Sequence, residues 1–191
     1  MIVDTIGSVD NLIENIEQRI SALLRIGDLK YQYLISQDKR EINVNDLFPR
    51  YGISIPSSNR IVGRFPLFAS NGIIDYISVK NASNAIIFGC RGTLGNVFYS
   101  KEYCFVLNTA LYIQSTCDYG NIYFGLRFQK GLTLYQSGAA QPQITIEAIK
   151  NAKINIPKDN SLNSILDLLE KYKLEVKNLR LLKETLLEKY F

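Results

Sequence analysis

A glycine-rich segment near the middle of the chain holds the side chain best suited to binding a polar or anionic ligand. Residues 86–99 read IIFGCRGTLGNVFY, so a strand-like apolar run precedes Gly89 and another follows Gly95. Arg91 lies in the turn between the two runs. A guanidinium is a planar cation with five N–H donors, and a loop held by a strand on each side moves little. The segment therefore predicts a binding site rather than a reactive one.

The glycines of this segment, Gly89, Gly92 and Gly95, recur at every third residue. One interpretation is a loop that cradles phosphate, but the Lys-Ser/Thr pair of a P-loop is missing and no clear helix follows at once. The other interpretation is a hairpin corner in which glycine supplies positive φ angles. The sequence favours the hairpin corner.

Histidine is absent from the sequence. Its absence removes Ser-His and Cys-His nucleophile pairs, histidine-ligated metals and the commonest general base, so catalysis is disfavoured. The cysteines, Cys90, Cys104 and Cys117, are spaced too widely for a Cys-x-x-Cys site, which predicts buried free thiols instead of a disulfide framework or a zinc site. We predict no catalytic residue, no metal site and no cofactor.

The positive charge of the chain is concentrated in its middle. The net charge is +4, and residues 36–157 hold twelve Lys and Arg against seven Asp and Glu. With twelve tyrosines and nine phenylalanines in the chain, this balance indicates a polyanionic partner rather than an acidic small molecule. A mildly basic solvated surface is the other interpretation.

The sequence shows neither a membrane segment nor a signal peptide. Its apolar runs are shorter than the ~20 residues that a membrane span requires, and its first residues lack the basic-then-apolar order of a signal peptide. We expect a cytoplasmic protein with no membrane partner.

The last segment carries the strongest local pattern. From Ser161 onward, apolar residues recur alternately three and four apart, a heptad seam interrupted by Lys183. A helix from Leu162 to Tyr190 would be roughly 43 Å long at ~1.5 Å per residue, which favours pairing with a second helix. A helix packed on its own domain is the alternative. The residues predicted to face a partner helix are Leu162, Ile165, Leu169, Tyr172, Val176, Leu179, Leu186 and Tyr190.

The N-terminal segment predicts a second long helix. Apolar residues follow a helical period over residues 8–34, and Gly27 marks a kink. Residues 8–17 and 161–170 align without a gap and keep the apolar stripe in register. The two ends of the chain therefore echo each other.

A β-rich domain is predicted between the helices. Asn71-Gly72 is a strong hairpin signal, and Pro66 marks a short edge segment before it. The predicted strands are 73–79, 103–106, 108–114 and 153–156, and the predicted short helices are 121–128 and 145–151. The fold class is thus α+β, with an N-terminal helix at 1–35, the domain at 36–157 and a C-terminal coiled-coil helix at 158–191. The first helix enters the domain and the last leaves it, so we expect them to pair as an antiparallel coiled-coil stalk.

Six motifs occur in an order that is shared with a known family. They are TIGSVD at residues 5–10, FPLFASNG at 65–72, IIFGCRGTLG at 86–95, NTAL at 108–111, SGAAQPQIT at 137–145 and INIP at 154–157. With these motifs the chain resembles one half of the specificity (S) subunit of type I restriction-modification systems, with one target recognition domain between two long helices.

The resemblance implies a subunit without catalytic activity. In that family each recognition domain reads one half of a split site in double-stranded DNA. The helices space the domains and dock modification (methyltransferase) subunits, and restriction subunits join the larger complex. A full subunit has two recognition domains, whereas this chain has one. A two-fold homodimer, with its helices antiparallel and a domain at each end, would supply the second half-site reader.

The candidate DNA contacts fall into two sets. One set lies in the shared motifs and has side chains that suit base edges: Asn71, Arg91, Gln141 and Gln143. Because relatives that recognise other sequences share these motifs, we expect this set to hold the backbone. Base choice is expected in the less family-like loops, where the candidates are Arg60, Arg64, Lys80 and Lys130. For each of these, a solvated surface is the alternative.

Two other function classes are compatible with parts of the sequence. A coiled-coil adaptor whose central domain binds another protein would show no loss of affinity with added salt, whereas DNA binding would weaken steeply. An enzyme acting on DNA is disfavoured, since the sequence lacks an Asn-Pro-Pro-Tyr type methylation motif and a helicase P-loop.

Overall fold

A long helix leads into a β-rich domain and a second long helix leads out of it. The computed structural model describes residues 2–115 and 117–190, and within these ranges the side chains from residue 5 onward. The helices are α1 (Ile2–Gln37), α2 (Tyr119–Phe128), α3 (Ile146–Ile149) and α4 (Ser161–Tyr190). The strands are β1 (Lys39–Asn43), β2 (Arg50–Tyr51), β3 (Val62–Ala69), β4 (Gly72–Ile77), β5 (Ala85–Gly89), β6 (Val97–Ser100), β7 (Phe105–Val106), β8 (Ala110–Gln114) and β9 (Lys153–Pro157).

The strands form three sheets. A four-stranded antiparallel sheet has the order β2-β8-β5-β6, and a three-stranded sheet has the order β4-β3-β7 with β3 and β7 parallel. The third sheet is the antiparallel pair β1–β9. Because β1 directly follows α1 and β9 directly precedes α4, this pair brings the ends of the two long helices together.

Strand β5 lies at the centre of the domain. All five of its residues are buried, and it pairs with β6 on one side and β8 on the other. Ile86 and Phe88 belong to the main core cluster, which includes residues of α2 and the first turns of α4, whereas Ile87 belongs to a second cluster with Phe68 of β3. The apolar run that precedes Gly89 is thus explained by a strand covered on both faces.

Strand β3 is longer than the short edge segment that Pro66 predicts. It runs for eight residues and pairs with β4 on one side and β7 on the other. Pro66 is tolerated there because β7 pairs only with Leu67 and Phe68, which leaves the β7 side of Pro66 without a ladder.

The domain is fixed to α1 by two polar contacts. Arg127 of α2 donates from Nε and Nη2 to both carboxylate oxygens of Asp28, at 3.0 and 2.8 Å. The hydroxyl of Tyr31 donates to the carbonyl of Asn155 at 2.6 Å, and burial raises the pKa of Tyr31 to about 12. Both contacts lie in the last third of α1.

The domain is fixed to α4 at the start of that helix. Asp167 accepts hydrogen bonds from Lys101 and from the hydroxyl of Tyr119, each at 2.7 Å. The Gly120 N–H donates to the Asn163 side chain at 2.8 Å. These bonds hold the first turn of α2 against α4.

Beyond the domain, α1 and α4 lie side by side and run in opposite directions. Arg180 pairs with Glu17 and Lys183 with Asp10, each at 2.6 Å, so residue numbers rise along one helix as they fall along the other. Val9, Ile16 and Val176 are buried, although none of them belongs to a core cluster of the domain. The two helices therefore bury apolar side chains against each other.

The predicted heptad seam of α4 is divided between two partners within the chain. Leu162 and Leu169 are buried in the main core cluster, and Ile165 packs against it. Farther along, Val176 is buried, Leu179 and Leu186 are half-buried beside α1, and Tyr190 is exposed. Tyr172 is half-buried between the two parts. The first half of the seam thus packs on the domain itself, and the second half packs on α1 of the same chain.

Several predicted elements are confirmed with small changes of boundary. The last helix begins at Ser161 as predicted, the N-terminal helix extends to Gln37, and Thr145 caps α3 by accepting from the Ala148 N–H at 3.1 Å. Strands β1 and β2 were not predicted, because β1 consists mostly of polar residues and β2 has only two residues. Met1 and Phe191, which the predicted domain bounds include, lie outside the described residues.

Gly27 has a packing role that its predicted kink did not suggest. A Cβ at this position would lie 2.2 Å from the ring of Phe124, which is fully buried. Replacing Gly27 by Ala gains up to ~1 kcal/mol of helix propensity but forces the ring from its site, which costs about 1–3 kcal/mol. We expect Gly27→Ala to lower the free energy of unfolding, measured by urea denaturation.

Gly7 on the same helix provides the matched control. A Cβ there would meet nothing within 4 Å. Gly7→Ala should therefore raise stability by about 0.5–1 kcal/mol. Equal stabilisation by both substitutions would contradict the packing role of Gly27.

Candidate nucleic-acid interface

The glycine-rich corner is joined by backbone hydrogen bonds to two other loops. The N–H groups of Cys90 and Arg91 both donate to the Thr109 carbonyl, at 2.9 and 3.1 Å. The Ile144 N–H donates to the Cys90 carbonyl at 2.9 Å. Segments around residues 90, 109 and 144, far apart in sequence, therefore meet at one end of the domain.

The turn between β3 and β4 reaches the same place. The Ser70 N–H donates to the Thr109 hydroxyl oxygen at 3.3 Å, and a Cβ at Gly89 would lie 3.1 Å from the Ser70 Cβ. The same Cβ would be 2.1 Å from the Thr93 carbonyl oxygen, so only glycine fits at position 89. Asn71, the next residue of the turn, is exposed.

The hairpin-corner interpretation of the glycines is correct, with one difference. Gly92 and Gly95 have φ angles of +75° and +90°, which glycine adopts without strain. Gly89 instead serves the close approach of the Thr93 backbone. Thus two of the three glycines supply positive φ and the third supplies space.

A small-residue loop closes the corner on another side. The backbones of Ser137 and Gln143 exchange hydrogen bonds at 2.8 Å in both directions. Gln143 also pairs with Arg91 as in an antiparallel β-sheet, at this one position only. A shallow groove results, and its lining residues are Arg91, Gly92, Ala140, Gln141, Pro142 and Gln143. Arg91 and Gln141 are exposed, and Gln143 is half-buried.

Lys130 also lies beside the corner. A Cβ at Gly95 would be 3.6 Å from the Lys130 carbonyl oxygen, and the Lys130 side chain is exposed. Five of the eight predicted DNA-binding residues thus surround one rigid corner. We call these the corner group: Asn71, Arg91, Lys130, Gln141 and Gln143.

The other three predicted residues lie elsewhere. Arg60 uses its guanidinium to hold its own loop, since Nε and Nη2 donate to the Ile55 carbonyl at 3.4 and 3.3 Å. Arg64 stands over the ring of Phe65, 5.1 Å from the ring centroid. Lys80 stands over the ring of Tyr103, with its nitrogen 3.2 Å from the centroid.

Sequence reasoning missed one cation that belongs with Arg64 and Lys80. Lys177 of α4 stands over the ring of Tyr76 of β4, with its nitrogen 4.1 Å from the centroid. No sequence signal links these two residues, because one is in a strand of the domain and the other is a hundred positions later in a helix. We call Arg64, Lys80 and Lys177 the junction cations, since they lie where the three-stranded sheet meets α4.

The cysteines take part in packing. Cys90 and Cys104 are buried, and burial raises the pKa of each thiol to about 11, so both stay protonated at neutral pH. Cys117 is exposed, which corrects the prediction that all three thiols are buried. It lies in the turn between β8 and α2, outside the apolar runs of both elements.

The described residues contain no group of three or more Cys, Asp or Glu side chains placed to hold a metal ion. Among them, no helix is long and apolar enough to cross a bilayer.

Comparison with protein families identifies the chain. The family model described as "Type I restriction modification DNA specificity domain" matches residues 23–187. The chain belongs to this family. The match covers most of the domain, with its corner loops, and most of α4. The specificity domain therefore includes both parts of the candidate interface, the corner group and the junction cations.

Solved structures confirm the fold. The chain is similar to the crystal structure of the type I restriction-modification system S subunit from M. genitalium, with a TM-score of 0.72 at 20% identity over 100% of this chain and 59% of that one. It is also similar to a structure titled for complex assembly and conformational transition of the type I R-M system, with a TM-score of 0.52 at 15% identity, covering 98% of this chain and 57% of that one. This chain thus spans less than two thirds of the length of these structures' chains. No curated protein matches the sequence.

Proposed function

We propose that this chain reads one half of a bipartite site in double-stranded DNA as a non-catalytic specificity subunit. The observation that carries the proposal is the corner group. Its members come from three loops and from the start of the segment after α2, and hydrogen bonds to the Thr109 and Cys90 backbone and to the Thr109 hydroxyl hold those loops together. A base-reading surface requires such fixed placement, since its side chains must match base edges within hydrogen-bond distance.

The chemistry of the corner group suits a duplex. Arg91 offers a guanidinium to guanine or phosphate, the amides of Gln141 and Gln143 suit adenine, and Lys130 suits phosphate. The backbone amides of the corner are already used to join the loops, so the exposed side chains are the groups left to face a ligand. We assign the glycines and Thr109 to holding the corner, and the exposed corner side chains to the DNA. This reverses the expectation that Asn71, Arg91, Gln141 and Gln143 hold the backbone, because the hydrogen bonds that join the loops come from backbone groups and from Thr109.

The helices take the role of partner docking in this proposal. α1 and α4 form an antiparallel coiled-coil stalk that binds modification (methyltransferase) subunits, and restriction subunits join through these. The chemistry on DNA is done by the partners, which agrees with a chain that has no histidine. This places the function in the cytoplasm with the DNA.

A second copy of the chain supplies the other half-site reader. The α4 seam faces the domain and α1, so the copy requires another surface. α1 carries one, a stripe of exposed apolar residues at heptad-related positions: Leu12 (53% exposed), Ile26 (54%), Leu29 (58%) and Tyr33 (64%). Two antiparallel copies of α1 would bring Leu12 against Leu29 and place a domain at each end.

The DNA-reading proposal is tested on the chain bound to its modification subunits. We expect tight binding to duplexes selected from a random pool, with affinity that falls steeply as salt rises. Arg91→Ala should weaken binding to the selected duplex by ~1–3 kcal/mol, about 5- to 150-fold, in fluorescence anisotropy. Lys150→Ala removes an exposed cation already paired with Glu147 and serves as the control. Salt-independent binding, or no selected sequence, would favour a protein-binding adaptor instead.

The homodimer is tested by sedimentation equilibrium. Leu29→Asp places a charge in the middle of the exposed stripe, so we expect it to convert a dimer to a monomer. Leu134→Asp alters a leucine of the domain surface that is 89% exposed and should leave the dimer intact. A wild-type chain that sediments as a monomer at micromolar concentration would exclude this assembly, and equal behaviour of the two variants would exclude this surface.

A further inference from the structure

The junction cations differ in what holds them from the cations that are paired with carboxylates. Nine Lys and Arg side chains of the described residues lie within 4 Å of a carboxylate. Arg64, Lys80 and Lys177 are not among these, and each stands over an aromatic ring instead. Their charge is therefore available to an external anion.

The rings also fix the position of the charges. Lys80 is held between two rings, since its nitrogen is 3.2 Å from the Tyr103 centroid and 5.6 Å from that of Phe65. The Phe65 and Tyr103 rings contact each other edge-on, with centroids 6.2 Å apart. A ring attracts a cation through its quadrupole and leaves the outward N–H donors free. A side chain held in this way loses less conformational freedom when it binds an anion.

The three cations lie at one end of the three-stranded sheet. Tyr76 pairs with Pro66, the residue after Phe65, so the rings beneath Arg64 and Lys177 lie at the same end of the β3–β4 pair but on opposite faces of the sheet. The corner lies at the other end of β3, beside Ser70. Ser70 follows Phe65 by five positions of extended chain, which is about 17 Å, or roughly five base pairs of duplex.

The position of Lys177 on α4 indicates the direction in which a bound duplex would run. In the dimer proposed above, a duplex that is read at the corner and continues toward the second half-site follows the helix pair. Phosphates along that path carry a high density of negative charge with no sequence information. Fixed, unpaired cations at the meeting of sheet and helix fit that ligand better than they fit base edges.

We propose that the junction cations bind backbone phosphates of the spacer, the duplex segment between the half-sites, without regard to its sequence. The inference rests on the DNA-reading function proposed above and gives the two groups of residues different roles in it. The corner group selects the sequence, and the junction cations direct the duplex along the helices. This reassigns Arg64 and Lys80 from base choice to phosphate binding.

A triple substitution tests the proposal on the full chain with its modification subunits. The triple variant Arg64→Gln, Lys80→Gln and Lys177→Gln removes three phosphate contacts. Because each contact contributes about 0.9 to the slope of log affinity against log salt concentration, that slope should become shallower by about 2.7. The selected duplex and a random duplex of about 40 base pairs, roughly four turns, should weaken by the same factor. Sequence preference should be unchanged.

Two further variants make the result decisive. Lys150→Gln with Lys153→Gln and Lys158→Gln removes the same formal charge from cations that are paired with carboxylates, and should leave the slope near that of the wild type. Arg64→Lys with Lys80→Arg and Lys177→Arg keeps the charges and should keep the slope. If the junction and control triples lower the slope equally, or if the junction triple changes sequence preference, the phosphate role is wrong. A wild-type complex that binds no duplex would overturn the DNA-reading function itself.

Discussion

The packing of α1 against α4 is the contact on which the rest of the structure depends. These helices are separated in sequence by the whole domain, and the antiparallel β1–β9 pair at their base sets them side by side. The Arg127–Asp28 and Tyr31–Asn155 bonds then attach the domain to one helix, while the Asp167 bonds attach it to the other. A domain fastened to two helices at once has a fixed direction relative to both.

The proposed reading of a spaced DNA site by a small domain depends on that attachment. The loops of the corner group are held together by shared backbone hydrogen bonds, and one junction cation, Lys177, lies on α4 itself. The surface proposed to read sequence and the cations proposed to bind phosphate are thus separated by the length of β3. Four of the twelve Lys and Arg in residues 36–157, the range whose charge indicated a polyanionic partner, belong to these two groups: Arg64, Lys80, Arg91 and Lys130.

The elements with strong periodic patterns could be predicted from the sequence, and their contacts could not. The heptad seam predicted the course of α4, but periodicity does not tell whether an apolar stripe packs on a domain or on another helix. In this chain Leu162 packs in the core of the domain, whereas Val176 is buried outside it, where α4 lies beside α1. The sequence predicted only that Gly27 kinks the helix, because the Phe124 ring that excludes a side chain at this position is about a hundred residues away in the sequence. The corner could be predicted because glycines in a short segment between two strands indicate a turn with positive φ angles. The junction was missed because a cation over a distant ring leaves no mark in the sequence.

The most direct test of the account is a map of methylated adenines in DNA treated with the chain and its modification subunits. Two identical readers held at opposite ends of paired helices predict two identical half-sites in inverted orientation, with a spacer of one fixed length and centres about one helical turn apart. A contiguous motif, two unrelated half-sites, or methylation without any motif would contradict it.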